Sequence, residues 1–273
     1  MRLTSAVFMI KRGLIASLFF ISFSLMLSCA QDGDESLFNK AEELVGEGKY
    51  MDAVSKYKDV ALHHEKSVFA PDALFEMGKI YYMQLNDYES AIDEFNELVD
   101  KYPDSDKCKL ARKYMADIYM YKLNDYKKAI VEYQKAIPYY QGSSEAEKLL
   151  HEISSAYFNL GNFDQQRVEL KLLLDAFPQT KMRGDISLQI ANSYYVGGSL
   201  DDAIKSYRDI IKNFPGTPLS FEAKFQLGVC LQENGDLKGA VKLLKEIRNV
   251  YPNPTIVKKR IERIEKRLKR RRR

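Results

Sequence analysis

A short signature returns along this chain every 37 or 38 residues. A small residue following a turn-like triplet occurs as Ala53 in GKYMDA, Ala91 in NDYESA, Ala129 in NDYKKA, Ala203 in GSLDDA and Ala240 in GDLKGA. Gln166 takes the place in GNFDQQ, and successive spacings are 38, 38, 37, 37 and 37 residues. Twelve residues further on, Pro103, Pro178, Pro215 and Pro252 punctuate four units, with Glu65 and Gln141 in the other two. Two independent registers in phase over six units point to a repeat architecture rather than to one or two ordinary globular domains.

Each unit carries two apolar stripes of helical period separated by the turn. In the second unit Leu74, Met77, Gly78 and Tyr81 form the first stripe, and Ile92, Phe95 and Leu98 the second. The spacing predicts two helices of about 14 residues joined by a Gly or Asn-Asp turn and closed by a Pro-containing turn. Such a pair cannot cover its own apolar face, so neighbouring units must stack.

The pattern resembles the tetratricopeptide repeat (TPR), in which a small residue and a Tyr on the first helix are followed by Ala, an aromatic and Pro on the second. The small residue is matched by Ala41, Gly78, Ala116, Ser154, Ala191 and Gly228, and the Tyr by Tyr81, Tyr119, Tyr157 and Tyr194, with Leu44 and Leu231 in the outer units. Tyr57, Phe95, Tyr133 and Tyr207 match the aromatic of the second helix, with Leu170 and Leu244 elsewhere. The family's early Trp is absent throughout, and the period exceeds the usual one because the connections between units are longer. The resemblance covers residues 36–254 and implies an all-α fold, an α-solenoid forming a right-handed superhelix of about six repeats. It also assigns the 18 Tyr and 14 Phe to helix packing rather than to a cofactor, and no cofactor is expected.

Charge is distributed unevenly. Residues 1–28 carry three basic and no acidic residues and residues 255–273 eleven basic against two acidic, so the overall +4 leaves −8 for the stretch between. A mildly acidic body without a basic stripe is not a nucleic-acid-binding profile.

At the N-terminus Lys11 and Arg12 precede an uncharged, mostly apolar run of 15 residues from Gly13 to Leu27. That is short of the roughly 20 residues a membrane-spanning helix needs, and reads as an export signal over residues 1–28. It ends in Met26-Leu27-Ser28-Cys29, which resembles the bacterial lipobox, where a small residue precedes a cysteine that is acylated. The lipobox implies acylation of Cys29, a polar tether over residues 29–35, and a membrane anchor that does not span. Ala30 follows the cysteine, where a retention signal for the inner membrane would place Asp, so the expected location is the periplasmic face of the outer membrane. A lipobox joined to long inter-repeat turns resembles BamD-type subunits of the β-barrel assembly machinery and the periplasmic TPR proteins associated with Tol–Pal. Cys108 and Cys230, more than three units apart, are expected as free thiols.

No Gly-rich phosphate loop, HExxH or nucleophile-elbow sequence occurs, and His63-His64 has no third ligand nearby in sequence, so neither an enzyme nor a metal site is expected. The remaining candidate is a surface. The resemblance places the partner-binding groove on the first helix of each unit. Its candidates are Phe38 and Val45 in the first unit, Phe75, Lys79 and Tyr82 in the second, and Met120 and Tyr121 in the third. They continue with His151, Phe158 and Asn159, then Leu188, Asn192 and Tyr195, and last Phe225. An exposed apolar and aromatic stripe of this kind marks a protein partner, here an extended or helical segment of an envelope-complex component. The alternative is that packing between neighbouring helices buries several of these side chains. The Lys/Asn clamp of chaperone-binding TPRs is not reproduced, which disfavours a free acidic C-terminus as ligand.

Residues 255–273 carry Val257, Ile261, Ile264 and Leu268 at 4-3-4 spacing, an amphipathic helix expected to cap the last repeat. Its basic outer face would either meet anionic lipid headgroups, making the chain a structural protein of the membrane surface or peptidoglycan, or serve as a solubilising cap.

Overall fold

The computed structural model describes residues 33–63 and 66–271. The export signal, the Ser28-Cys29 junction, His64, and the last two arginines lie outside the described residues. Thirteen α-helices and no strand occur among the described residues.

Two compact units divide the chain after Asn124. Unit 1 holds α1 (residues 33–46), α2 (Tyr50–His63), α3 (Ala70–Ile80, continued by a π-helical turn, Tyr81–Leu85), α4 (Tyr88–Lys101) and α5 (Cys108–Tyr121). Unit 2 holds α6 (Tyr126–Ala136, continued by a 3₁₀ turn, Ile137–Tyr140), α7 (Ser144–Asn159), α8 (Phe163–Ala176) and α9 (Arg183–Val196). It ends with α10 (Leu200–Asn213), α11 (Pro218–Glu233), α12 (Leu237–Ile247) and α13 (Pro254–Arg271). Helix α1 already begins at residue 33, so Asp34 and Glu35 belong to the first repeat rather than to a tether.

One device builds every intra-repeat turn. A residue of positive φ stands five positions before the repeat's small residue: Gly48, Asn86, Asn124, Gly161, Gly198 and Gly235. This left-handed residue ends the first helix, and the next residue caps the second. Asp87, Asp125, Asn162 and Asp236 each accept a hydrogen bond from the backbone N–H three residues on, satisfying one orphan donor of the helix start. The capping residue also closes the turn, since Asn162 N–H donates to Tyr157 C=O at 2.9 Å and Ser199 N–H to Tyr194 C=O at 2.8 Å. In the second repeat the same bond, Asp87 N–H to Tyr81 C=O at 2.9 Å, encloses one residue more. That residue accounts for the first spacing of 38 and is absorbed as the π-helical turn.

The helix-pair cores follow the repeat register. Tyr57, Phe95, Tyr133 and Tyr207, with Leu170 and Leu244, are all buried, as are the small residues of the first helices. In unit 1, Ala41 of α1, Tyr57 of α2 and Met77 of α3 share one core cluster, and Leu74, Phe95 and Met115 another. In unit 2 the largest cluster runs from Ala191 of α9 to Ile264 of α13, with Val257, Ile261 and Ile264 buried and Leu268 packed beside them. Cys108 and Cys230 are free, buried thiols.

Repeat four departs from the rule. Gln166 stands where the other units have Ala and is only 4% exposed, with its Oε1 buried and unpartnered. Its neighbour Arg167, also buried, occupies the place taken elsewhere by Val54, Ile92, Ile130, Ile204 and Val241. The guanidinium donates to Ser193 C=O and Oγ, lies 4.3 Å from the Tyr194 ring centroid and pairs with Asp164. A buried guanidinium needs such a full set of partners.

Candidate protein-binding face

Within unit 2 the first helices α7, α9 and α11 are cross-linked by polar side chains one repeat apart. The His151 ring meets Gln189 Nε2 at 2.9 Å, joining α7 to α9. Tyr195 OH donates to Glu233 Oε1 at 2.7 Å, joining α9 to α11. The carboxylate beside it, with burial, pushes the Tyr195 phenol up to about 12, so it remains a donor. Asn192 accepts from Tyr207 OH at 2.7 Å, which ties the face to the buried ring beneath. Leu188 is half-buried against the same core.

Phe158 stands open on this framework. The residue is 41% exposed and its ring rests edge-on against Phe163 at 5.6 Å, and Asn159 and Val196, the last residues of α7 and α9, are also exposed. Aromatic surface held by a rigid scaffold with polar groups at its margin is suited to anchor a partner side chain.

Phe225 does not belong to the open face. It is 8% exposed, stacked on Tyr251 at 4.9 Å, with Arg260 of α13 lying 5.5 Å from its ring centroid. The expectation of an exposed anchor fails there because the turn after α12 and the cap helix both close over the last repeat.

Unit 1 uses its predicted face differently. Phe75 is buried against Phe95 and Tyr114, with the ammonium groups of Lys79 and Lys107 at 5.5 and 5.4 Å from its centroid. Lys79 also pairs with Glu76 at 2.6 Å. Met120 is 4% exposed. Phe75 and Met120 are therefore packing residues, not groove residues. Tyr82 is half-buried between Tyr88 and Tyr114, and that burial raises its phenol pKa. Phe38 packs on Tyr57 and Phe69, and Val45 on the first core. Tyr121 is 55% exposed.

The clamping partners Gln189, Tyr114 and Tyr251 were absent from the sequence-based site, whereas Glu233 falls on the first-helix face that the resemblance maps. Gln189 and Glu233 stand 38 residues after His151 and Tyr195, close to one repeat period, and that spacing was the available signal. Tyr114 and Tyr251 carry none, because they come from other elements that fold over the face.

Among the described residues no group of three or more His, Cys, Asp or Glu is placed to hold a metal ion, and no helix is long and apolar enough to cross a membrane.

Comparison with known proteins places this geometry. Residues 72–105 in unit 1 and 188–253 in unit 2 each match a family model described as tetratricopeptide repeat. Among solved structures the chain is similar to a tetratricopeptide repeat protein from Parabacteroides merdae, at 15% identity over 86% of this chain and 87% of that one, with a TM-score of 0.51. It is also similar to the C-terminal part of a TPR repeat-containing protein from Cytophaga hutchinsonii, at 18% identity over 77% of each chain, TM-score 0.52. No curated protein matches significantly in sequence. The chain thus contains tetratricopeptide repeats in both units, in an all-helical TPR-like fold, and such repeats imply a protein–protein interaction scaffold.

Proposed function

We propose that this chain is a lipid-anchored scaffold of the bacterial cell envelope that captures an extended or helical protein segment on the first-helix face of unit 2. The observation that carries the reading is Phe158, an aromatic ring left open on a face whose neighbouring side chains are fixed by the His151–Gln189 and Tyr195–Glu233 cross-links. A preorganised face loses little side-chain freedom on binding, which favours affinity. The Ser28-Cys29 junction after an apolar run supports acylation of Cys29 and a periplasmic location at the outer membrane. The same combination supports a role in an assembly of the BamD type.

A photo-crosslinking side chain placed at Phe158, in cells that retain the anchor, tests the face. A discrete partner adduct is expected there, absent when the probe replaces Asp209 on the exposed side of α10. Indistinguishable adducts from both positions would remove the face from the proposal. Acyl labelling of Cys29, and its loss in Cys29→Ala together with release from membranes, tests the anchor.

A further inference from the structure

Helix α13 has two sides of opposite character, built with the same spacing. Its seam, Val257, Ile261, Ile264 and Leu268, closes the last repeat. On the other side Lys259, Arg263, Lys266 and Arg270 follow at the same 4-3-4 intervals, so at 3.6 residues per turn they form one row along the helix. All four are exposed. The acidic residues stand aside from the row: Glu262 and Glu265 fall on one flank, and Glu265 is taken by Lys245 at 2.8 Å. On the other flank Arg260 is fixed over Phe225 and bonded to Gln232, which holds the helix on its repeat. Arg263, Lys266, Arg267 and Arg270, with Gln232 and Ile264, line a cleft of about 400 Å³.

We infer that this row is a membrane-contact site that takes the phosphates of anionic phospholipids. A cap needs only the apolar seam, so the opposite row is unexplained by folding. A single phosphate would call for donors converging on one point, whereas these are spread along roughly 16 Å of helix at 1.5 Å per residue. A row on an exposed helix meets a plane of headgroups, where guanidinium forks bind phosphate oxygens in pairs. A polyanionic duplex fits less well, because the stretch 29–254 carries a net −8 and would repel it. This site is independent of the protein-binding face and of the anchor.

The test compares binding of the full chain to vesicles of phosphatidylglycerol mixed equally with phosphatidylcholine and to vesicles of phosphatidylcholine alone. The apolar N-terminal run partitions into both, so the anionic-to-neutral ratio is the readout. Each basic residue at the surface multiplies binding by about fivefold, so a ratio well above tenfold is expected at low salt, falling as salt rises. K259Q/R263Q/K266Q/R270Q should lower the ratio at least tenfold with an unchanged melting temperature. Should that variant melt early, R263K/R270K keeps the charge and must keep the ratio. A ratio near one for the natural chain, or one that persists in the quadruple variant, overturns the site. Displacement by inorganic phosphate at matched ionic strength would make it a single-phosphate site instead. Tighter, row-dependent binding of an oligonucleotide, or a row-dependent oligomer without vesicles, would assign the row elsewhere and equally overturn it.

Discussion

Gly78 of α3 lies directly against the ring of Phe95 in α4, so close that a methyl group on Gly78 would come within 2.5 Å of Phe95 Cε1. The ring cannot move away. It is fully buried and stacked on Tyr114 of α5 at 5.7 Å with only 8° between planes, and Phe75 flanks it at 5.9 Å. The glycine thus sets how near the two helices of the second repeat approach, and through Phe95 how the third repeat's first helix seats on them.

Gly78→Ala should therefore destabilise unit 1 by about 1–3 kcal/mol, the usual cost of overpacking, despite alanine's better helix propensity. Gly46, in the last turn of α1, has nothing within 4 Å of such a methyl, and Gly46→Ala should be neutral or stabilising by up to ~1 kcal/mol. Paired denaturant melts of the two variants decide the matter. A harmless Gly78→Ala would mean that Phe95 is not held as described.

Glu94 gives unit 1 a pH dependence near neutrality. Burial, with Glu97 beside it, raises its carboxyl pKa to about 7. The unfolded chain releases that proton near pH 4.5, so between these values the folded state holds a proton that the unfolded state lacks. Stability contributed by this group therefore falls as pH rises from about 5 to 8. Glu94→Gln should flatten the profile and gain about 1–2 kcal/mol at pH 8, a figure reduced from the full linkage value because Glu94 is partly solvated. Melts of both proteins across that range would show parallel curves if the carboxyl stays ionised in the fold.

Repeat four shows where the sequence was legible and where it was not. Period, helix pairing, the small residues and the buried second-helix aromatics could all be read, because each is a local consequence of helical spacing repeated six times. Gln166 is a polar residue in the small-residue register, yet it is buried, because the stacking of repeats imposes burial on the register whatever residue stands there. Phe75, Met120 and Phe225 failed for the same reason in reverse. Their positions face outward on an isolated helix pair, but Tyr114 closes over Phe75, Tyr251 and α13 close over Phe225, and Met120 is buried as well. The first-helix tyrosines belong to the helix packing that the resemblance implies, yet Tyr81, Tyr119, Tyr157 and Tyr194 are only half-buried. Helical period alone does not report how far a neighbouring element reaches.

The unpartnered Oε1 of Gln166 makes a stability prediction opposite to most core truncations. Restoring the repeat's own residue with Gln166→Ala removes a buried acceptor that makes no hydrogen bond, a defect worth ~1–3 kcal/mol, against a smaller loss of methylene packing. The variant should melt no lower than the natural chain. Ala203→Gln, which places the same side chain at the equivalent site of repeat five, should cost about 1–3 kcal/mol. Equal losses in both would show that Gln166 is accommodated by its own repeat.

The Tyr195–Glu233 bond predicts a titration signature. Glu233→Gln removes the charge that opposes phenolate formation, so the Tyr195 pKa should fall from about 12 toward the ordinary value of 10.0. Ultraviolet difference titration of Glu233→Gln against the natural chain would read this as one tyrosine ionising earlier. Since both groups are partly exposed, stability should change by less than about 1 kcal/mol. An unmoved titration would mean that the cross-link between α9 and α11 does not form in solution.

The separation of core from face within unit 2 is tested by Phe158 and Tyr207 together. Tyr207 is fully buried, and its hydroxyl reaches Asn192 on the candidate face, whereas Phe158 leans on Phe163 with much of its ring exposed. Tyr207→Ala should cost about 3–5 kcal/mol, the range for removing a large buried ring. Phe158→Ser should leave the melting transition within about 1 kcal/mol of the natural chain, because little of its area is lost from the core. If Phe158 anchors a partner at the centre of an interface, its truncation costs ~2 kcal/mol or more, about thirtyfold in affinity. The informative measurement is the pair: binding to the cross-linked partner and thermal stability on the same two proteins. A Phe158→Ser chain that melts early and binds normally would make Phe158 a core residue. Partner capture would then have to be sought on another surface of the repeats.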